Sequence, residues 1–254
     1  MIITLLTDFG TSDTFVAEMK GVILSINPSV TIVDITHEVE PFNILDGAIK
    51  LGSVIKYFPR GSIHIAVVDP GVGSLRKPII IKTERFYLVG PDNGIFSLAL
   101  REEKIMSIHE ITIPVKGPTF HGRDIFAPAG ARLSNGEPPG LFGREIKEFV
   151  KIELPEPLFE NKGFIKGQVI IIDRFGNAIS NIRAEHLISN KALVKVSGRY
   201  IPIFNYYKEA EGFEAGAIIN SSGYLEIFRY KGSVADEWNI KKGDLVEVSL
   251  EGGR

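Results

Sequence analysis

The chain has 254 residues, 44% of them hydrophobic and 24% charged, enough to bury the core of one large domain or two modest ones. Its formal net charge of -2 leaves no basic footprint for a nucleic acid, and Lys, Asp or Gly interrupts every apolar run before it could span a membrane. The absence of cysteine excludes disulfides, thiolate metal sites and cysteine nucleophiles, and fits a reducing cytoplasm.

The first ten residues, MIITLLTDFG, are apolar but short, lack a basic flank and carry Asp8 at once, so IITLLT (2–7) reads as a first strand rather than a signal peptide. Phe15, Met19, Val22, Ile23 and Ile26 follow at helical spacing, and TIVDIT (31–36) is a second strand. Asn43 can cap a helix striped by Ile44, Ala48, Leu51 and Ile55. SIHIAVVD (62–69), PIIIKT (78–83) and FYLVG (86–90) read as strands, and a helix is expected over 124–135, with Pro128 in its first turn and Gly136 ending it. Alternating helices and fully apolar strands predict an α/β N-terminal domain with a mostly parallel sheet between helices. LPEPLFENKG (154–163) reads as a linker between domains spanning 1–157 and 164–254. Beyond it, QVIIID, NAISNI, ALVKVSG, YIPIF, GAIIN, YLEIFR and DLVEVSL are short, turn-separated strands that predict a small antiparallel β-barrel or sandwich.

Several polar clusters sit at strand ends, where ligands bind in such sheets. In TDFGTSD (7–13), Asp8 can either accept bonds from a ribose diol or cap a helix. VVDPGVGSLRKP (67–78) has glycines but neither a Walker nor a dinucleotide fingerprint, and Asp69 would repel a phosphate. The turn instead presents Asp69 and Arg76 to one cavity or simply pairs them. In GPDNGIF (90–96), a turn leading into a short helix, turn chemistry accounts for Asp92 and Asn93. TFHGRDIFAPAG (119–130) offers His121, the side chain suited to proton exchange near neutral pH, and Asp124 as a helix cap. His37, His64, His109 and His186 lack such neighbours and read as structural, and no two histidines have metal-ligand spacing. In IIDRFGNAISN (171–181), Phe175 can stack on a flat ring and Asn177 can pair with an adenine-like edge, or both can serve only a hairpin.

Six stretches in order along nearly the whole chain carry a resemblance: TDFGTSDTFVAEMKG, VDPGVGSLRKP, GPDNGIF, TFHGRDIFAPAG, DRFGNAISN and NSSGYLEIFR. Together they resemble the S-adenosyl-L-methionine hydroxide adenosyltransferases, relatives of the fluorinating and chlorinating enzymes that act on the same substrate. The resemblance implies water attack at ribose C5′, giving adenosine and L-methionine, with S-adenosyl-L-methionine as substrate and no cofactor or metal. It implies a reacting trio of Asp69, Arg76 and His121, with Asp8 on the ribose hydroxyls. Phe42 falls where the halogenating relatives use an aromatic residue, and Phe120 joins the substrate-binding set. Asp173, Phe175 and Asn177 would serve the methionine amino group and the adenine. Ser221 and Ser222 would lie near the substrate's outer end. A cytoplasmic homotrimer with sites between subunits is expected, with neither nucleic acid nor membrane as partner.

The chemistry suits these residues. A sulfonium leaves as a neutral thioether, so no general acid is needed and the weak nucleophile is the difficulty. A guanidinium cannot act as a base, so Arg76 would supply positive field while Asp69, a neutral His121 or a water relay takes the proton. Opposite charges cancel as hydroxide meets sulfonium, which a dry pocket favours. Halide attack is the alternative within the family, but the carboxylate of Asp69, in place of the halogenases' aromatic residue, would repel a halide. A nucleoside-binding sensor without turnover would have no need of the trio, and a dehydrogenase would need the missing fingerprint.

Overall fold

The computed structural model describes residues 1–112, 114, 117, 119–160, 163–187 and 192–250. The chain divides into two compact units, Met1–Glu153 and Leu154–Arg254.

The first unit holds strands β1 (Ile2–Thr7), β2 (Thr31–Thr36), β3 (Ile63–Val67), β4 (Pro78–Thr83), β5 (Tyr87–Pro91), β6 (Ile105–Glu110) and β7 (Glu145–Ile146), in the sheet order β2-β1-β3-β5-β4-β6-β7. Pairs β1–β2, β1–β3 and β3–β5 are parallel, but β4–β5, β4–β6 and β6–β7 are antiparallel. The sheet is therefore mixed, which corrects the expectation of a mostly parallel one. The reason is the short link between β4 and β5. Thr83 Oγ1 accepts the backbone N–H groups of Arg85 and Phe86 there, and a parallel return needs a crossover of a dozen or more residues.

Helices cover both faces. Helix α1 (Phe15–Ile26) and helix α3 (Ala127–Ser134) lie on one side, where Met19, Ile23, Ala129 and Leu133 pack with Ile3, Leu5, Ile63 and Ile65. Helix α2 (Ile44–Val54) brings Leu51 to the other, against Leu6, Ala66 and Val68. Alternate residues of one strand thus feed two cores, which is why these strands are apolar throughout. The Asn43 cap forms, its side chain accepting from Asp46 N at 3.0 Å. The expected helix over 124–135 begins differently. Residues 122–126 form a π-turn, with Ala127 N–H bonded to the Gly122 carbonyl, before α3 starts. Residues 95–100, where a short helix was expected, make turns.

In the second unit, strands β8 (Leu158–Glu160), β9 (Phe164–Ile172), β10 (Ala178–Arg183), β11 (Leu193–Val196), β12 (Arg199–Pro202), β13 (Gly216–Ile219), β14 (Tyr224–Phe228) and β15 (Leu245–Ser249) form a sheet in the order β12-β11-β15-β9-β10-β14-β13, with β8 beside β9. Its named strand pairs are all antiparallel. A parallel bridge between Ile203 and Ala217 links the two ends, so the sheet nearly closes into a barrel. Inward residues such as Ile165, Val169, Val194, Val246 and Ile227 fill it. The five-residue helix α4 (Val234–Trp238), capped by Ser233, has too little periodicity to be legible in sequence.

One buried group gives the first unit a pH-sensitive stability. His64 on β3 is fully buried between Phe58 and Phe86, with Nδ1 2.8 Å from Thr4 Oγ1. Burial, aided by the charge of Arg85, holds its pKa down to about 4. As pH falls below the unfolded value of about 6.5, the unfolded chain binds a proton that the folded chain refuses, and stability drops until about pH 4. The expected loss over that window is about 3 kcal/mol. Urea unfolding at several pH values should show it, and His64→Leu should flatten that slope. An unchanged slope in the variant would refute the assignment.

Candidate active site

The candidate site gathers at the C-terminal ends of β1 and β3. Beyond β3, Asn93 Nδ2 donates to the Val68 carbonyl at 2.8 Å and fixes the chain one residue before Asp69. The following turn is tightened by Val72 N–H to Asp69 O and Ser74 N–H to Gly71 O, with Gly73 at φ 79°. It brings Arg76 back onto Asp69. Arg76 Nε donates to Asp69 Oδ1 at 2.9 Å, and Nη2 donates to Oδ2. The guanidinium also lies 5.4 Å from the Phe126 ring centroid.

Nη2 reaches a second acceptor, His121 Nδ1, at 2.6 Å. A guanidinium has only donors, so Nδ1 holds the ring's lone pair and Nε2 carries its proton. Burial lowers the His121 pKa, and the charge of Arg76 lowers it further, so the ring is neutral at pH 7. Its lone pair is already engaged, which leaves Nε2–H as the group free to face a ligand. The three residues come together as the sequence suggested. His121 opens the π-turn, a distortion found often at functional positions. Gly122 has no Cβ because one would lie 2.9 Å from Phe120 Cε2 and 3.2 Å from Met19 Sδ. Asp124 is not a helix cap; its carboxylate takes Arg123 Nε and Nη2 at 2.8 and 2.9 Å.

Asp69 and His121 line a cavity of about 250 Å³ together with Asp8, Phe9, Phe15, Pro41, Phe42, Val67, Val72, Thr119, Phe120 and Gly122. Arg76 stands behind them, and among the described residues its buried Nη1 has no hydrogen-bond partner. Asp8 caps no helix either: α1 starts after Thr14, and Asp8 Oδ2 instead accepts Phe42 N–H at 2.9 Å. Burial raises the Asp8 pKa, the Phe42 N–H pulls it back, and nearby Asp69 adds to the rise. Phe42 has φ 66°, a left-handed conformation costly for an aromatic residue, and 72% of its surface is exposed.

Phe15 shares the helical spacing of the buried Met19 and Ile23, yet it is 42% exposed and forms part of the wall. It makes edge-to-face contacts with Phe9 and Phe120, at 5.8 and 5.3 Å between centroids. Phe9 and Phe15 escaped the sequence reading as site residues; their only signal is position, flanking the polar loop after β1.

The remaining expected site residues belong to the second unit. Asp173, in the β9–β10 hairpin, accepts from Phe175 N, Asn177 N and Asn177 Nδ2 at 2.8, 2.9 and 3.0 Å. The Phe175 ring is 75% exposed, while Asn177 is buried. Ser221 and Ser222 are exposed in the β13–β14 turn, which is shaped by Asn220 Oδ1 accepting from Ser222 N and Tyr224 N. Sequence reading missed Glu226 beside them, a buried carboxylate bonded to Tyr207 Oη at 2.8 Å and Asn220 Nδ2 at 3.2 Å.

The model of the SAM hydroxide adenosyltransferase N-terminal domain matches residues 3–143, and that of the family's C-terminal domain matches residues 167–247. The chain belongs to the SAM hydroxide adenosyltransferase family. Within it, an (R)-S-adenosyl-L-methionine hydrolase of Methanocaldococcus jannaschii is 39% identical, over 97% of this chain and 95% of that protein. A fluorinase of Actinopolyspora mzabensis is 28% identical over 98% and 97%. The crystal structure of an uncharacterized conserved protein from Thermotoga maritima superposes with a TM-score of 0.88 at 34% identity, covering 98% of this chain and 99% of that one. Among the described residues of this adenosyltransferase-family chain, no helix is long and apolar enough to cross a membrane.

Proposed function

We propose that this chain hydrolyses S-adenosyl-L-methionine to adenosine and L-methionine by in-line attack of water on ribose C5′. The observation that carries the reading is the fixed array in which Arg76, from behind, ties together Asp69 and His121, both of which line the cavity. Arg76 locks the Asp69 carboxylate through both oxygens, and each oxygen keeps a lone pair for a water molecule. His121 Nε2–H is left to orient that water. As the O–C5′ bond forms, the C5′–S bond breaks, sulfur takes its electron pair, and the water proton passes to Asp69. Arg76, one shell behind, stabilises the forming hydroxide by its charge. The engaged Nδ1 makes Asp69 a better proton acceptor than His121. Asp8 takes the ribose hydroxyls, and Phe42 and Phe120 border the substrate.

The cavity is smaller than the roughly 300–1,000 Å³ typical of ligand pockets, so a substrate of this size needs further walls. The homotrimer implied by the resemblance would supply them. Asp173, Phe175, Asn177, Ser221 and Ser222 of a neighbouring subunit would close over the methionine and adenine ends. A cytoplasmic location, where the substrate is made and used, agrees with the lack of cysteine.

Halide attack is disfavoured by the anionic Asp69 on the nucleophile's side. Turnover in H₂¹⁸O with and without excess chloride separates the readings. Adenosine labelled at the 5′ oxygen is expected in both cases. A chlorinated nucleoside would transfer the chain to the halogenating branch, and bound nucleoside without turnover would make it a sensor.

A further inference from the structure

His37 follows β2, is 6% exposed and does not line the cavity. Its sequence context suggested a structural residue, but it grips the loop that carries Asp8 at two points. Its carbonyl accepts Gly10 N–H at 2.8 Å, and its ring Nδ1 is 2.8 Å from Thr7 Oγ1. Thr7 Oγ1 in turn accepts Phe9 N–H at 3.3 Å, and the Thr7 carbonyl accepts Val39 N–H at 3.3 Å. Asp8 thus sits between two residues held by one histidine.

The ring's protons can be assigned from its partners. Asp34 Oδ1 can only accept and faces Nε2, which places a ring proton there and leaves Nδ1 to accept the Thr7 hydroxyl proton while a lone pair of Thr7 Oγ1 takes Phe9 N–H. Nε2 lies at ion-pair distance from Asp34 Oδ1, 3.1 Å, though not aligned as a hydrogen bond. The other oxygen of Asp34 takes Lys20 Nζ of helix α1 at 2.6 Å. A chain of contacts therefore runs from α1 through Asp34, His37 and Thr7 to the backbone that aims Asp8. Thr7 is fully buried, so water cannot replace the ring as its partner.

We propose that His37 is a positioning residue for the hydrolysis, fixing the Asp8 carboxylate against the ribose through Thr7. This rests on the reading that Asp8 holds the ribose hydroxyls.

The test is steady-state kinetics on His37→Ala, His37→Asn, His37→Gln, Thr7→Val, the Thr7→Val/His37→Ala double variant and Asp8→Asn, each checked by thermal unfolding. Asp8→Asn should raise KM more than tenfold, the scale of a hydrogen bond to a charged group. His37→Ala and Thr7→Val should each raise KM about tenfold with a smaller fall in kcat, and the double variant should be no worse than either. An asparagine amide oxygen can take the place of Nδ1, so His37→Asn should recover KM, whereas His37→Gln should resemble alanine. A merely structural role would lower Tm and the active fraction but leave the KM of the folded enzyme unchanged. That result, with Asp8→Asn still impaired, overturns the role of His37 alone, as does additivity of the two single variants. An unaltered KM in Asp8→Asn overturns the ribose reading itself, and this inference with it.

Discussion

Replacing Arg76 by Ala is expected to lower kcat by on the order of 10³-fold while KM changes little, because the side chain acts on the forming hydroxide and touches no substrate group. Loss of a preorganised charge beside a reacting centre, together with release of the Asp69 and His121 it holds, accounts for about 3 to 4 kcal/mol of barrier. The variant also removes what fixes Asp69 and one of the causes that keep His121 neutral. Arg76→Lys should recover only a part of the rate. An ammonium keeps the charge but lacks the planar fork that reaches Asp69 through two nitrogens and His121 through one of them. Breaking a buried pair by removing one partner also destabilises the fold. The Asp69→Asn/Arg76→Gln double variant, neutral at both positions, is therefore the companion: it should fold and stay inactive. A kcat within tenfold of the native value in a folded Arg76→Ala protein would remove the guanidinium from the mechanism.

Gly90→Ala is expected to cost about 3 kcal/mol or more of unfolding free energy, read from denaturant titration. Gly90 lies in β5, paired with β3 on one side and β4 on the other. A Cβ there would overlap the Ala66 carbonyl oxygen and come 2.9 Å from Phe96 Cζ. Neither neighbour can retreat, since Ala66 is strand backbone in the sheet centre and Phe96 is buried. Any relief must push β3, which runs directly to Asp69, so activity should fall in the molecules that still fold. Gly21→Ala is the matched control. It adds the same methyl to an exposed helical position with open space around it, where alanine is the better helix former. Equal stability of the two variants would show that the sheet tolerates the extra carbon.

The amino-acid sequence by itself determined most of the local structure and the chemical inventory. Apolar runs broken by turn residues marked most strands of both units, though not β6, β7 or β8; Asn43 marked a helix start, and six ordered motifs marked the family and the residues Asp69, Arg76 and His121 that the fold brings together. Those signals survive because strand alternation, caps and motifs are written in neighbouring residues. Four things were decided only in three dimensions. The first sheet is mixed, since pairing direction follows the length and chemistry of the link between β4 and β5. Phe15 lines a cavity although its helical spacing matches the core, because periodicity identifies a face and not what that face meets. Asp124 serves Arg123, because a π-turn displaced the helix start. The proton on His121 is assigned to Nε2 only by Arg76, forty-five residues away, taking Nδ1. For Phe15 and His121 the deciding contacts, with Phe120 and Arg76, join residues far apart in sequence; for the β4–β5 link and Asp124 the residues are neighbours, but hydrogen-bond direction and backbone geometry, which composition and spacing do not encode, decide the outcome.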